Sequence, residues 1–325
     1  MALLKRIVPL YVVKSVSTGN AAPEAHSVTG DIGEPSAACD NRVIVGTAKA
    51  SEFPSPEEPE AAASPEEPEA GGLPDKDTFK PGVVESFLNN SGLLVISKSI
   101  PVSNKGIAGL SEAIAGSLPH AQSLMQAMRS ANTTSERAFS LTLTGLSGIA
   151  LCKIIMLAEM MKNCGIFTEY FCPDNKFIKA KMSSSPKVIN FINGEWLEIY
   201  AQQLTLSVIS DFAERRGMDW ELYSNVTVEN PSTHKHHEID LLFSIGNVVF
   251  GSEQKSGLQF IQYDKYRLVG EFLRIIPDRF ILVNSTLTDV NAADTVHYLY
   301  GYYVSSIIDY RETLIKMIEN SSWIR

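Results

Sequence analysis

The sequence predicts an α/β protein in two domains, the second a small catalytic module. Three observations predict it. Strand-like and helix-like stretches alternate along the chain. A solvated acidic repeat interrupts the first half. The last third carries an acid, twelve residues, then acid-x-Lys: Asp240, then Glu253-Gln254-Lys255.

At 325 residues, 44% hydrophobic and 20% charged, the chain is long enough for two buried cores. A net charge of −9 looks wrong for a nucleic-acid enzyme. Six of those charges are local. Ser55-Pro-Glu-Glu-Pro-Glu-Ala-Ala-Ala runs directly into Ser64-Pro-Glu-Glu-Pro-Glu-Ala-Gly-Gly, with six glutamates and no base. This insert, about 51–75, buries no apolar area and reads as a solvated spacer. The remainder is near neutral, which leaves room for a basic cleft. Cys39, Cys152, Cys164 and Cys172 are scattered without a CxxC pair and read as reduced thiols of a cytoplasmic protein, not a zinc site. Residues 1–16 lack a clean signal-peptide core and cleavage site. Leu141 to Met161, the most membrane-like stretch, holds Lys153, Glu159 and two glycines and reads as strand, turn and buried helix, so no membrane span is expected.

In order, Ile7–Val16 and Arg42–Gly46 read as strands, Leu93–Ser97 as a third, and about Gly106 to Arg129 as a helix. Ala138–Thr144 alternates as a strand, Gly145-Leu-Ser-Gly148 turns, and Ile149 to Asn163 is helical up to the stop at Gly165. Ile166–Cys172 is a strand closed by Pro-Asp-Asn. This alternation predicts an open sheet of parallel strands in residues 1–185. From 186 to 325 the order changes. Gly194 to Arg216 is one amphipathic helix with Leu197, Tyr200, Leu204 and Val208 inward. Trp220–Glu229, Glu238–Ser244 and Asn247–Gln254 are strands, the last two joined by Gly246-Asn. Ile261–Ile275 is a helix, Arg279–Asn284 a strand, and a helix from about Val304 closes the chain.

Two adjacent antiparallel strands would bring Asp240 and Glu253 into one cleft, with Lys255 on the face of Glu253. Glu198 on the preceding helix is a third carboxylate. Such a set suits phosphodiester hydrolysis, where hard oxygen ligands hold Mg²⁺ or Mn²⁺ and an ammonium stabilises the transition state. The spacing alone also fits ordinary surface acids. Charges ending the apolar runs Leu241-Leu-Phe243 and Val248-Val-Phe250 ask for more.

These residues resemble the PD-(D/E)XK nuclease superfamily, and more closely the nucleases of type III CRISPR systems in which a CRISPR-associated Rossmann fold (CARF) domain precedes that nuclease. Phe191-Ile-Asn-Gly194-Glu-Trp196-Leu-Glu198-Ile-Tyr200 resembles their Gly-x-Trp-Leu-Glu helix start, His237-Glu238-Ile-Asp240 their Asn-Glu-x-Asp strand, and Glu253-Gln-Lys255-Ser-Gly257 their Glu-x-Lys-Thr/Ser-Gly. More faintly, residues 8–20 and 42–48 resemble the first two CARF strands, and Ser140 to Gly148 the turn carrying Thr-Gly-Gly-Thr-Lys, here without its second Gly and its Lys. The resemblance implies a CARF-like Rossmann domain over 1–185 and a restriction-endonuclease-like domain over 186–325. It implies catalysis by Glu198, Asp240, Glu253 and Lys255, and Mg²⁺ or Mn²⁺ at Asp240, Glu253 and Gln254. It also implies a homodimeric antiviral effector that cuts DNA or RNA, activated by a cyclic oligoadenylate at Thr144, Gly145 and Ser147. The alternative is a non-catalytic nuclease fold used for nucleic-acid binding or assembly.

Three further groups are candidates. In His234-Lys-His236-His237, His236 has the strand parity of Asp240 and is a substrate-binding candidate. Gln262 and Lys265, at the start of the next helix, are candidates to line the substrate groove, with Arg267 behind them. Tyr298, Tyr300, Tyr302 and Tyr303 offer base stacking or, more commonly, packing.

Overall fold

A computed structural model describes residues 82–100, 104–256, 262–287 and 290–321. The strand-like runs 7–16 and 42–46, Cys39 and the acidic repeat lie outside them. The described residues open with helix α1 (Val83–Asn90), strand β1 (Leu94–Ser99), helices α2 (Lys105–Ala115) and α3 (Leu118–Asn132), strand β2 (Ala138–Thr142), helix α4 (Gly148–Asn163), strands β3 (Phe167–Phe171) and β4 (Phe177–Met182), and the short helix α5 (Pro186–Asn190). Helix α6 (Trp196–Arg216), strands β5 (Trp220–Asn230), β6 (Lys235–Ile245) and β7 (Val248–Lys255), helix α7 (Tyr263–Leu273), strand β8 (Phe280–Asn284), helix α8 (Val290–Tyr300), strand β9 (Tyr303–Ser305) and helix α9 (Tyr310–Asn320) follow.

Six strands form one mixed sheet in the order β1-β5-β6-β7-β8-β9. Short turns force its antiparallel part. Asn230 Oδ1 accepts from the backbone N–H groups of Ser232 and Thr233 to close β5–β6. Gly246, at φ +56°, makes the two-residue β6–β7 hairpin. The longer returns through α7 and α8 let β8 and β9 add in parallel.

The apolar sets divide between two faces. Phe243, Phe250, Ile281 and Val283 belong to the core shared with α6 and α9. Leu242, Val249 and Leu282 belong to the core under α1 and α7. Phe243 and Phe250 are cross-strand partners, both fully buried, with ring centroids 5.1 Å apart.

The mixed α/β character and most elements follow the sequence, but the first half does not form the expected parallel sheet among the described residues. Strands β2, β4 and β3 form a separate antiparallel sheet. The link from β3 to β4 is the single turn Pro173–Asn175, with Asp174 and Asn175 both at positive φ. That is too short for the crossover that parallel strands need. Strand β1 leaves this half and pairs with β5. One apolar core runs across residue 185, joining Leu124, Ile154, Leu157 and Ile178 to Trp196, Ile209 and Phe250. The expected 106–129 helix breaks into α2 and α3 at Gly116-Ser117, with Pro119 in the first turn of α3. Strand β4 and helix α8 were not anticipated, and the stretch from Val304 begins as β9 before α9 starts at Tyr310. No helix among the described residues is long and apolar enough to cross a membrane.

Replacing Phe250 by Ala removes a fully buried ring from the sheet–α6 core. A loss of about 3–5 kcal/mol is expected, read as a lower denaturant midpoint at unchanged slope.

Candidate active site

The β6–β7 ladder stops at Leu241–Ser252 although both strands run on. Beyond it β7 stays paired to β8 through Glu253, Gln254 and Lys255, and the strands part on the β6 side. On the other flank of β6, the register with β5 skips Asn225, which sits at φ +49° opposite Asp240. Asp240 occupies the notch. Its Oδ2 accepts the Gln254 backbone N–H at 2.6 Å, replacing the strand carbonyl that would otherwise pair there.

Glu253 and Lys255 alternate onto the face of Val249, towards α7. Lys255 Nζ lies 2.9 Å from Glu253 Oε2 and 3.6 Å from Asp240 Oδ2. The Glu253 carboxyl is almost enclosed, while Lys255 keeps 35% of its side chain exposed. Glu198 comes in on the first turn of α6. That helix starts at Trp196, two residues later than the sequence suggests, after a wide turn over Phe191–Glu195. Gly194 is required in the turn, because a Cβ there would meet Ser256 Oγ at 2.9 Å. Ser256 Oγ in turn donates to the Asn193 carbonyl, docking the end of β7 against the start of α6.

The electrostatics follow from this crowding. Burial, then the charge of Asp240, pushes Glu253 up to about 7. The same two causes push Glu198 up to about 7. Burial raises Asp240 against the pull of Lys255 and of the Gln254 N–H. Lys255 is raised in spite of burial by Asp240 and Glu253. Asp240 and Glu253 thus share one ammonium with the charge of Glu198 close by, and the crowding of negative charge favours the protonated carboxyls. A hard divalent cation matches this set, since Mg²⁺ commonly keeps its waters and takes one or two carboxylates plus substrate phosphate. Among the described residues no three such side chains form a preassembled cage. Asp240 and Glu253 are the ligands the geometry offers, with Glu198 beside them.

The other sequence candidates fare differently. The Gln254 side chain is on the opposite face, where Nε2 donates to Ser252 Oγ at 2.7 Å, so of this residue only the main chain is near the acids. Strand alternation decides this, because Gln254 lies between Glu253 and Lys255. His236 is exposed, and its Nε2 is 4.0 Å from Glu229 rather than at the acids. The parity argument fails because the ladder is broken at Asn225. His237 instead senses the site. Its ring lies 5.8 Å from Phe272, and burial with the charges of Lys265 and Lys255 lowers its pKa. Gln262 and Lys265 are exposed at the start of α7. Thr144, Gly145 and Ser147 form an exposed turn whose Ser147 Oγ accepts from Ala150 N to cap α4. Tyr302 and Tyr303 are core, whereas Tyr298 is 88% exposed. Sequence reasoning missed Tyr266. Its buried ring lies 5.8 Å from Lys255 Nζ and 5.9 Å from Lys265 Nζ. The available signal was an aromatic one helical turn after Gln262.

No protein-family model matches the sequence, and a search of curated proteins finds no match. Among solved structures the chain is similar to protein VC1899 from Vibrio cholerae, at 16% identity and a TM-score of 0.52, covering 73% of this chain and 60% of that one. It is also similar to Can2 from Sulfobacillus thermosulfidooxidans, solved in complex with cyclic tetra-adenylate, at 18% identity and a TM-score of 0.49, covering 74% and 61%. The chain therefore spans about three fifths of each. The first likeness bears on the fold alone.

Between about pH 4.5 and 7 the folded chain holds protons on Glu198 that the unfolded chain releases. Stability contributed by this residue is therefore present below pH 4.5 and lost as pH rises to 7. His237 acts in the opposite sense, so the readout is a difference. Metal-free Glu198→Gln is expected to gain on the parent with rising pH, approaching about 3 kcal/mol near neutrality. Denaturation at four pH values checks it, and a constant difference contradicts it.

Proposed function

We propose that this chain is a divalent-metal-dependent phosphodiesterase acting on nucleic acid, a nuclease of PD-(D/E)XK type. The observation that carries the reading is the trio Glu198, Asp240 and Glu253 around one ammonium in the notch where β6 and β7 part. Asp240 and Glu253 would hold Mg²⁺ or Mn²⁺. The bound ion would neutralise the phosphate and lower the pKa of the attacking water.

The chain's own groups do the rest. The Gln254 N–H fixes one oxygen of Asp240, leaving Oδ1 for a ligand. Glu253 and Asp240 hold Lys255 protonated, and its exposed end faces charge developing on the phosphoryl oxygens. Glu198, with its pKa about 7, is suited to take a proton from water near neutral pH. Tyr266 limits the positions Lys255 can adopt.

The sequence resemblance extends the reading to a CRISPR-linked defence effector that acts as a homodimer. In it a cyclic oligoadenylate would bind at the exposed turn Thr144, Gly145 and Ser147. Such an activator is expected to change the cleavage rate and leave Mn²⁺ affinity at Asp240 unchanged.

Cleavage of single- and double-stranded DNA and RNA in Mn²⁺, with and without cyclic tetra- and hexa-adenylate, tests the function. Asp240→Ala should lose both Mn²⁺ binding and cleavage. Lys255→Ala should lose about 10²-fold or more in rate while binding Mn²⁺ at least as tightly, since the competing ammonium is gone. Retention of metal-dependent cleavage in both variants would sink the reading. Mn²⁺ binding without cleavage of any substrate would favour the non-catalytic module.

A further inference from the structure

Beside the acids, between α3 and the end of β7, lies a cavity of about 140 Å³. Arg129, Trp196, Ser256, Ser285 and Thr286 are in its wall, together with Met125. Its remaining described residues are apolar or amide, with no carboxylate among the described residues of its wall.

Two of its donors lack what they need. Arg129 is half-buried, and its guanidinium donates only to carbonyls, from Nε to Ile192 at 3.3 Å and from a terminal nitrogen to Ser256 at 3.2 Å. No acid among the described residues offsets the burial that lowers its pKa. Trp196 is 2% exposed, and its indole N–H has no acceptor among the described residues. A guanidinium removed from water without a counter-charge is costly, and its planar fork matches phosphate. The Ser285 hydroxyl adds a donor for a remaining oxygen, while those of Ser256 and Thr286 already donate to the Asn193 carbonyl and to Asn284 Oδ1.

Size and place narrow the ligand. The cavity has room for a tetrahedral oxyanion, the group its donors suit. Ser256 directly follows Lys255, and Trp196 precedes Glu198 by two residues. The cavity therefore adjoins the proposed cleavage site along the chain on two sides.

We propose that this cavity is a second phosphate subsite, in which Arg129 and Trp196 seat a backbone phosphate of the nucleic-acid strand neighbouring the one cleaved. It rests on the nuclease reading and adds what that reading lacks, a group that sets the register of the strand. Arg129 also ties the Ile192 and Ser256 carbonyls together, so strand binding and the alignment of Glu198 with Lys255 draw on the same side chain.

The test keeps binding apart from cleavage. In EDTA, intrinsic tryptophan fluorescence follows inorganic phosphate, and anisotropy of labelled 12-nucleotide DNA and RNA strands follows nucleic acid over a range of salt. Arg129→Gln is expected to abolish the phosphate response, to weaken strand binding about tenfold or more, and to lower the salt slope by about 0.7. Arg129→Lys should fall between, and Mn²⁺ affinity should not change. Should Arg129→Gln not fold, Ser285→Ala leaves the backbone bonds of Arg129 intact and should weaken phosphate binding. Phosphate binding lost with strand affinity and salt slope unchanged would reassign the cavity to a free small anion and overturn the proposal. No phosphate response in the folded parent would overturn it too. Absence of Mn²⁺-dependent cleavage by the parent would sink the nuclease reading alone, leaving the titrations to judge the subsite as an anion site.

Discussion

The surplus of negative charge in the β6–β7 notch is the constraint around which the C-terminal half is arranged. Asp240, Glu253 and Glu198 are drawn from a strand, its neighbour and a helix, and they share the ammonium of Lys255. Such a group is unfavourable in isolation, since each carboxylate is partly dehydrated and repelled by the others. The sheet enforces it. Pairing of β7 with β8 holds Glu253 and Lys255 after β6 has turned away, and the Gln254 N–H draws Asp240 into the gap. The same parting that removes a ladder bond opens the notch that Asp240 fills beside Glu253 and Lys255.

Support for this arrangement comes from the other side of the sheet. Gln254 and Ser252 point into the α6–α9 face, where Tyr310 and Thr205 share a hydrogen bond of 2.7 Å. Stacked Phe243 and Phe250 sit beneath. The glycine at 194 admits Ser256 against the start of α6, so the helix carrying Glu198 and the strand carrying Lys255 are joined at their ends. The charged side chains on one face are held in register by apolar and neutral polar packing on the other. That division explains why one strand alternates charged and uncharged polar residues.

Much of the site was legible because the information is local. Glu253-x-Lys255 needs only strand alternation, and the Gly246 turn fixes how far Asp240 lies from Glu253. The misreadings have equally specific origins. The alternation that pairs Glu253 with Lys255 turns the Gln254 side chain away and leaves only its main chain at the acids. His236 failed because the positive-φ Asn225 interrupts the ladder, which no periodicity reveals. Arg129 is reached through tertiary packing, and Tyr266 had only its place one helical turn after Gln262 to mark it. In the first half, strand and helix alternation suggested parallel strands. The three-residue turn after Phe171 forbids that pairing, and the Lys-alternating run Phe177–Met182 is the strand that fills the sheet.

The central claim is that a divalent cation takes the place of protons on these carboxylates. Titration calorimetry of Mn²⁺ near pH 6.5, in two buffers of different ionisation enthalpy, measures it directly. With Glu198 and Glu253 each at about 7, binding should release about one proton or more, and Asp240→Asn should remove most of the binding. Mn²⁺ binding with no proton released, or binding equally tight without Asp240, would contradict the account.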